Sequence, residues 1–268
     1  MSKNPVFVHS LFRSSSTYFY SVLASKKNIN CFQESLHEFV FQNKSTPTLL
    51  TRSLDPSLKK KYRHPNVDYW SSLVKTWPAW ANHANSQSPA GFYFSSISDD
   101  CGSSFFDSII ESVDSKCVFC ETRTSGRIGS LKYKIDNSSH VYLYRNPWDQ
   151  WWSYHVDPYF FDFNLRVYSE SRDDIRLYAL KESVSKNALD LSSSRGKYIL
   201  FYFLWCCALL EAFEYADLCV NMNELSLDPE YQKEVNKRFA AFGLDGLDFS
   251  SCDVPVREYG SIDLAFFA

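Results

Sequence analysis

The fold of this chain is decided near its start by the stretch VFVHSLFRSSST, which runs from Val6 to Thr17. Its apolar first half predicts a buried strand, because short β-branched and aromatic runs are typical of strands covered on both faces. The second half places Arg13 and four hydroxyl residues ahead of an expected helix over Thr17–Lys26. Backbone N–H groups at the start of a helix attract anions, so this turn predicts an anion-binding loop.

A second stretch, VYLYRNPWDQWWSY from Val141 to Tyr154, has the same design. An apolar run is followed by Arg145 in a turn and then by an expected helix, with Ser153 eight residues after the arginine. Two anion-binding turns in one chain suit a ligand that carries phosphate groups at both ends.

Buried strands alternate with helices along the whole chain. Strand-like apolar runs occur at Val6–Ser10, Cys117–Glu121, Val141–Tyr144 and Leu218–Met222. Helices are expected over Thr17–Lys26, Phe105–Val113, Tyr198–Ala216 and Pro229–Phe242. In the last of these, Pro229 suits the first helical turn and Gly243 can end the helix. This order predicts an α/β fold with a central, mainly parallel sheet flanked by helices, and ligand sites at the carboxyl ends of the strands.

Length and composition limit the class of protein. A chain of 268 residues is long enough to bury a core as one domain, and we expect a single domain over residues 1–268. A hydrophobic fraction of 45% and an aromatic fraction of 17% argue against disorder. The formal net charge of −3 argues against a general nucleic-acid binder, so any anion site must be local.

The chain carries no expected membrane or export signal. Val6–Ser10 is too short for a signal peptide and is soon followed by Arg13. The longest uncharged apolar run, Tyr198–Leu210, has 13 residues, which is too short to span a bilayer. The eight cysteines form neither a zinc-binding pattern nor a regular disulfide framework. We therefore expect a cytoplasmic protein without a membrane span.

Together the two anion-binding stretches resemble the sulfotransferases that use 3′-phosphoadenosine 5′-phosphosulfate (PAPS). In that family a loop of the form [Arg/Lys]-Ser-Gly-[Ser/Thr]-Thr wraps the 5′-phosphosulfate, and a later Arg-x-Pro-x-x-x-x-x-Ser segment holds the 3′-phosphate. Arg13 to Thr17 stand at the first motif, with Ser15 in place of the family's glycine. Arg145, Pro147 and Ser153 match the second motif at the family spacing.

The resemblance covers roughly residues 5 to 245. Shorter segments also follow the family's order, at Gly126–Lys132, Asn223–Leu225, Asp228–Pro229 and Phe242–Leu244. The resemblance implies the P-loop-kinase-like architecture of sulfotransferases. It also implies that residues 40–100 and 157–191 are variable insertions on the acceptor side.

The resemblance further implies a role for each matching residue. Arg13 would stabilise the charge on the leaving phosphate, and the 5′-phosphate would be held by Arg13, Ser14, Ser15, Ser16 and Thr17. The 3′-phosphate would be anchored by Arg145 and Ser153. PAPS would act as co-substrate and leave as 3′,5′-phosphoadenosine (PAP), with no metal required.

A base is also needed for the acceptor hydroxyl. The candidates are Glu34, Glu121, His9, His37 and His83. Glu34 follows Arg13 by 21 residues, which resembles the spacing of the catalytic Glu in tyrosylprotein-type and some carbohydrate-type relatives. Cytosolic relatives use a His in the strand before the second motif, and in this chain that region reads Cys120-Glu121-Thr122-Arg123 and has no His. We therefore expect Glu34 to be the base, with Glu121 as the second choice.

These implications predict in-line transfer of a sulfuryl group from PAPS to an acceptor hydroxyl. Residues 40–100 include Trp70, Trp77 and Trp80, and this aromatic content favours a carbohydrate acceptor. A small alcohol, a carrier-bound hydroxyl and a tyrosyl peptide remain alternatives. A kinase or NTPase would need Gly-x-x-x-x-Gly-Lys-[Ser/Thr], which this chain does not contain. A non-catalytic nucleotide-binding or interaction module is the alternative from another class.

Overall fold

The computed structural model describes residues 4–51, 70–84, 103–155 and 192–254, and the single positions 178, 182 and 190. Of the expected insertion over residues 40–100, the parts 40–51 and 70–84 are therefore described. The expected insertion over residues 157–191 lies outside the described residues except at three single positions.

A parallel sheet of five strands forms the centre of the described chain. The strands are β1 (Val6–Ser10), β2 (Ile29–Gln33), β3 (Lys116–Glu121), β4 (Ser139–Tyr144) and β5 (Leu218–Asn221). They lie in the order β2-β3-β1-β4-β5, and every neighbouring pair is parallel. The predicted α/β class with a parallel sheet flanked by helices is confirmed.

Strand β2 was not predicted from the sequence. Asn30 and Gln33 interrupt its apolar run, so Ile29–Gln33 lacks the continuous pattern of the other strands. It pairs with β3 alone and forms one edge of the sheet, where part of the strand is less buried. The predicted strand at Leu218–Met222 is one residue too long, because Asn221 caps the helix that begins at Met222.

Helices cover both faces of the sheet. They are α1 (Ser16–Ala24), α2 (Glu38–Gln42), α3 (Thr48–Thr51), α4 (Ser71–Lys75), α5 (Trp77–Trp80), α6 (Ser103–Ser112), α7 (Ile128–Lys134), α8 (Pro147–His155), α9 (Ser194–Tyr215), α10 (Met222–Leu227) and α11 (Pro229–Ala241). The four predicted helices correspond to α1, α6, α9 and α11, with the start at Pro229 as predicted and the other ends shifted by one to four residues. The Asp228 side chain caps α11 ahead of Pro229, and Gly243 has a φ of 73° after its end, as predicted.

The two faces of the sheet bury different sets of side chains, because successive residues of a strand point to opposite faces. Val6 and Val8 pack with Phe19 of α1 and Phe239 of α11. The alternate residue Phe7 joins a cluster that includes helix α6. With both faces covered, the accessible part of this sheet is the edge formed by the carboxyl ends of its strands.

Helix α9 has 22 residues and is the one described helix that is long and apolar enough, by length and composition, to cross a membrane. Part of it is buried against the rest of the chain, since Leu200, Phe201 and Leu204 are almost fully covered. Tyr202 and Phe213 on its other side are exposed. A buried core helix passes the same test, so this feature does not decide between the two environments.

Candidate active site

The loop after β1 is anchored by its apolar residues and closed by a hydroxyl. Leu11 and Phe12 are buried in a cluster with residues of α8 and α9. The Ser14 hydroxyl donates to the carbonyl oxygen of Leu11, and Ser14 is 1% exposed. Arg13 and Ser15 both have left-handed backbone angles, with φ of 64° and 65°. The loop therefore turns sharply between strand and helix, with Ser15 at the position that precedes α1.

The backbone at Ser15 accounts for the glycine of the family motif. A φ of 65° lies in the region where glycine has no steric cost, whereas other residues lose about 1–2 kcal/mol there. Ser15 adopts this conformation without glycine, and its carbonyl oxygen accepts the Phe19 N–H at 3.1 Å to begin α1. The loop keeps a glycine-like shape at the expense of local strain.

We expect Ser15→Gly to raise the free energy of unfolding by roughly 0.5–1 kcal/mol. Relief of about 1–2 kcal/mol of strain should exceed the added entropy of the unfolded chain, which costs about 0.4–1 kcal/mol. Ser16→Gly is the matched control and should lower stability, because Ser16 lies in the helix. Urea unfolding followed by circular dichroism measures both. Equal destabilisation by the two changes would contradict strain at Ser15.

The second turn that the sequence predicts to bind anions follows β4, beside the first. Arg145 is 4% exposed, and its carbonyl oxygen accepts the Trp205 Nε1–H at 3.1 Å. The Asn146 side chain accepts the N–H of Trp148 at 2.9 Å and so caps α8. Ser153 lies half-buried two turns along that helix. Because β4 pairs directly with β1, the structure brings the two predicted turns to neighbouring positions on one edge of the sheet.

Gln150 connects the two turns and was not among the site residues predicted from the sequence. Its Nε2 donates to the carbonyl oxygen of Phe12 at 2.7 Å and lies 3.4 Å from Ser14 Oγ. Gln150 is fully buried, and its Oε1 has no hydrogen-bond partner among the described residues. Its position three residues before Ser153, on the same helical face, is the one signal that could have identified it.

Glu34 lies immediately after β2, at the same edge of the sheet. Its N–H donates to the carbonyl oxygen of Cys120 at 2.9 Å, and its φ is 49°. The carboxylate accepts from Thr122 Oγ1 at 2.9 Å and from Arg123 Nη1 at 2.5 Å. Both contacts use Oε2, so within the described chain Oε1 is left for another donor. The side chain is 12% exposed, which is compatible with contact to a bound substrate.

Arg123 contacts two carboxylates and was also not among the site residues predicted from the sequence. Its Nη1 contacts Glu34, while its Nη2 contacts Glu38 Oε2 at 2.7 Å. Burial raises the pKa of Glu34 above its ordinary value, although the Arg123 charge and the Thr122 hydrogen bond oppose that shift. Burial would also raise the pKa of Glu38, but the Arg123 charge, hydrogen bonds and His37 together outweigh it, and the net shift is downward. Of the two carboxylates that Arg123 contacts, only Glu34 therefore has a raised pKa.

The other base candidates have different surroundings. Glu121 is fully buried and accepts the N–H groups of Ser35 and Leu36 at 2.7 and 3.4 Å. Burial, with a contribution from the neighbouring Glu34, raises the pKa of Glu121 to about 8. His37 accepts the Phe39 N–H and caps α2. These contacts favour supporting roles, with Glu121 fixing the turn that carries Glu34.

The remaining two histidines make contacts elsewhere among the described residues. His83 is exposed after α5, where its N–H donates to the carbonyl oxygen of Trp80. His9 is fully buried in β1 and bonded to other side chains. Among the five candidates, Glu34 is the carboxylate that is both partly exposed and more basic than usual.

The three tryptophans of the first insertion have different surroundings. Trp80 is fully buried, and the Trp77 Nε1–H donates to the carbonyl oxygen of Lys44. Trp70 instead lies beside the candidate base, with Nε1 3.4 Å from the carbonyl oxygen of Glu34. Its ring is edge-on to His37, with ring centroids 5.4 Å apart. Trp70 also packs against the same hydrophobic cluster as Trp77, with its ring stacked on Phe39, so its contact beside Glu34 is what makes it a candidate surface for an acceptor.

The edge of the sheet thus has a cationic and a carboxylate region. Arg13 and Arg145 follow the adjacent strands β1 and β4, whereas Glu34 follows β2, with β3 between β2 and β1. Neighbouring strands lie about 4.8 Å apart, so the ends of β2 and β1, which precede Glu34 and Arg13, are separated by about 10 Å across the sheet. This arrangement leaves room for an anionic ligand over β1 and β4 and for a second substrate toward β2.

Partnerless buried polar groups at this edge fit a polar ligand. Besides Gln150 Oε1, the Ser125 hydroxyl after β3 is fully buried without a hydrogen-bond partner in the described residues. Native proteins pair nearly all such groups, so unpaired ones mark positions where a ligand or water completes the structure. Searches of protein-family models, curated proteins and solved structures found no match to this chain.

Proposed function

We propose that this protein is a sulfotransferase that moves a sulfuryl group from PAPS to an acceptor hydroxyl. One observation carries the proposal: two anion-binding turns, at Arg13–Thr17 and at Arg145–Ser153, follow adjacent parallel strands and are joined by Gln150. Two such turns side by side support a ligand that carries phosphate groups at both ends.

The proposed donor site uses residues of both turns. Backbone N–H groups at the start of α1, with Ser16 and Thr17, would hold the 5′-phosphate. Arg145 and Ser153 would hold the 3′-phosphate, which distinguishes PAP from AMP. PAPS supplies the sulfuryl group and the phosphate leaving group.

Arg13 and Glu34 would divide the chemistry between them. Glu34 Oε1 takes the proton of the acceptor hydroxyl while the acceptor oxygen forms its bond to sulfur. Arg13 stabilises the negative charge that develops on the phosphate oxygen as the sulfur–oxygen bond to that phosphate breaks. The products are the sulfated acceptor and PAP. Arg123 and Thr122 keep Glu34 Oε2 occupied, so that Oε1 faces the acceptor.

The acceptor region favours a ring-bearing alcohol. Trp70 and His37 place an aromatic surface beside Glu34. Glu38 adds a second carboxylate, which contacts the same Arg123 as Glu34. Stacking of a sugar ring on an indole, with hydroxyls toward the carboxylates, fits this composition. Carbohydrates are therefore the first acceptors to test, ahead of small alcohols, carrier-bound hydroxyls and tyrosyl peptides.

Calorimetry with PAP and AMP tests the donor site. We expect PAP to bind about 10- to 150-fold more tightly than AMP, because charge-assisted hydrogen bonds to the 3′-phosphate are worth about 1.5–3 kcal/mol. Arg145→Ala should remove most of that preference. Arg238→Ala, which changes an exposed arginine bonded to the carbonyl oxygen of Asp217, is the matched control and should retain the preference.

The outcomes separate the two classes of function. Equal affinity of the wild type for PAP and AMP would overturn the proposal. Tight PAP binding without transfer of labelled sulfate to any of a pooled set of acceptors would favour a non-catalytic nucleotide-binding module. Transfer to a carbohydrate pool, lost in Arg145→Ala at low donor concentration, supports the enzyme.

A further inference from the structure

A continuous row of hydrogen-bonded side chains crosses the sheet beneath the candidate site. Thr124 Oγ1 lies 2.7 Å from His9 Nδ1, His9 Nε2 lies 2.9 Å from His140 Nδ1, and His140 Nε2 lies 2.8 Å from Ser138 Oγ. The row starts in the loop after β3 and ends just before β4, at the opposite edge of the sheet. Thr124, His9 and His140 are fully buried.

The contacts determine the direction in which every proton points. Ser138 Oγ lies 2.6 Å from the carbonyl oxygen of Ile135, so its single proton must be donated there. Ser138 then accepts from His140 Nε2–H, which leaves His140 Nδ1 to accept from His9 Nε2–H. His9 Nδ1 in turn accepts from the Thr124 hydroxyl. The 3.5 Å contact from Thr124 Oγ1 to the Glu121 carbonyl oxygen is the weaker alternative.

The two rings carry no charge in this arrangement. Burial lowers the pKa of His9 well below its ordinary value, and His140 lowers it further. Burial lowers the pKa of His140 to about 4, with Lys132 adding to the effect and Asp217 opposing it. The two rings lie in nearly parallel planes with centroids 5.2 Å apart, which fits an in-plane hydrogen bond between them.

The row starts on the loop that holds the candidate base. Thr124 directly follows Thr122 and Arg123, whose side chains both contact Glu34 Oε2. The loop is otherwise held by backbone contacts, including Arg127 N–H to the Thr124 carbonyl oxygen at 3.0 Å. Apolar side chains could fill the space of the two rings without needing hydrogen-bond partners. The hydrogen bonds of the two histidines therefore point to a role other than filling the core.

We propose that His9 and His140 are positioning residues, which act through the Thr124 hydroxyl to fix the loop that orients Glu34. This inference rests on the proposed function for its catalytic meaning. None of the contacts in this row involves the donor turns. A change in the row should therefore affect the transfer step and leave nucleotide affinity unchanged.

Thr124→Val tests the proposal, with Thr124→Ser as the matched control. Valine keeps the shape of threonine but removes the donor to His9, whereas serine keeps the hydroxyl. We expect Thr124→Val to lower kcat at least tenfold while PAP affinity stays within twofold, and Thr124→Ser to remain within about twofold of the wild type in both. Equal kcat in all three proteins would overturn the proposal.

Nuclear magnetic resonance gives a readout that does not need activity. Imidazole ¹⁵N shifts should place the proton of both rings on Nε2 in the wild type, and Ser138→Ala should disturb that order from the far end of the row. With ¹³C-labelled glutamate carboxyls, the Glu34 signal, assigned by its loss in Glu34→Gln, should titrate at a different pH in Thr124→Val but not in Thr124→Ser.

The two readouts separate the two hypotheses. If PAP does not bind but the Glu34 titration shifts in Thr124→Val alone, the proposed function fails and the positioning role stands. If PAP binds and sulfate is transferred but Thr124→Val changes neither kcat nor the Glu34 titration, the positioning role fails alone. Protons found on Nδ1 of either ring would also overturn the inferred direction of the row.

Discussion

Replacing Arg13 with alanine should lower kcat for sulfate transfer by about 10²–10³-fold at saturating PAPS. The reason is that Arg13 is proposed to stabilise charge that appears only as the phosphate leaves, and one such interaction is worth about this factor. Alanine keeps a β-carbon at a residue whose φ is 64°, so the backbone strain of the loop is unchanged. Steady-state kinetics with labelled PAPS measures the effect.

Arg13→Lys is the control for that experiment. Lysine keeps the positive charge, and the family motif accepts either cation at this position, so we expect a much smaller loss. A variant Arg13→Ala that raises only the donor KM, with kcat unchanged, would mean that Arg13 binds donor and transition state equally. The assignment of Arg13 as the charge-stabilising residue would then be wrong.

The second large effect is expected for Glu34→Gln, which should reduce transfer by about 10²–10⁴-fold. Glutamine retains the shape of the side chain and can still accept from Thr122, but it cannot take a proton from the acceptor. Affinity for PAP should stay nearly intact, since Glu34 lies after β2 and the donor turns follow β1 and β4.

Glu38→Gln provides a matched control, because Glu38 contacts the same guanidinium through its other nitrogen. It removes the same charge from Arg123 without removing the proposed base, so kcat should stay near that of the wild type and any loss should fall on the acceptor KM. Equal losses in the two variants would indicate that charge balance around Arg123 matters and that Glu34 is not the base. Loss in Glu121→Gln or His83→Ala, with Glu34→Gln near-native, would place the base elsewhere.

The pH profile gives an independent check on Glu34. A base must be deprotonated to act, so the rate should fall as the pH falls through its pKa. Burial raises the pKa of Glu34, so the acid limb should lie above the ordinary range of a glutamate, which centres near about 4.3. An acid limb at or below that range would argue against Glu34.

Most of the sheet could be predicted because burial leaves a continuous signal in the sequence. Strands β1, β3, β4 and β5 are apolar runs covered on both faces. The edge strand β2 escaped because Asn30 and Gln33 break its pattern. Helix ends were predictable where a cap is local, as at Asp228 and Gly243, because those contacts join residues a few positions apart.

The residues of the candidate site also differ in whether a local stretch of sequence could identify them. The sequence alone predicted the two strand-to-helix turns that are proposed to bind anions, since strand, arginine, hydroxyls and helix start follow one another directly along the chain. It could not identify Arg123, Gln150 or the row through His9 and His140. Those residues act through contacts that span 89, 138 and 131 positions of sequence.

Only the tertiary structure decided which side chains meet. The strand order β2-β3-β1-β4-β5 places the residues after β3 between Glu34 and the loop after β1, and the register of β1 with β4 brings His9 to His140. Strand order and register follow from the packing of both faces of the sheet at once, so no local stretch of sequence carries them. Local chemistry was therefore encoded within each turn, whereas the partners of Glu34 were set by the assembled sheet.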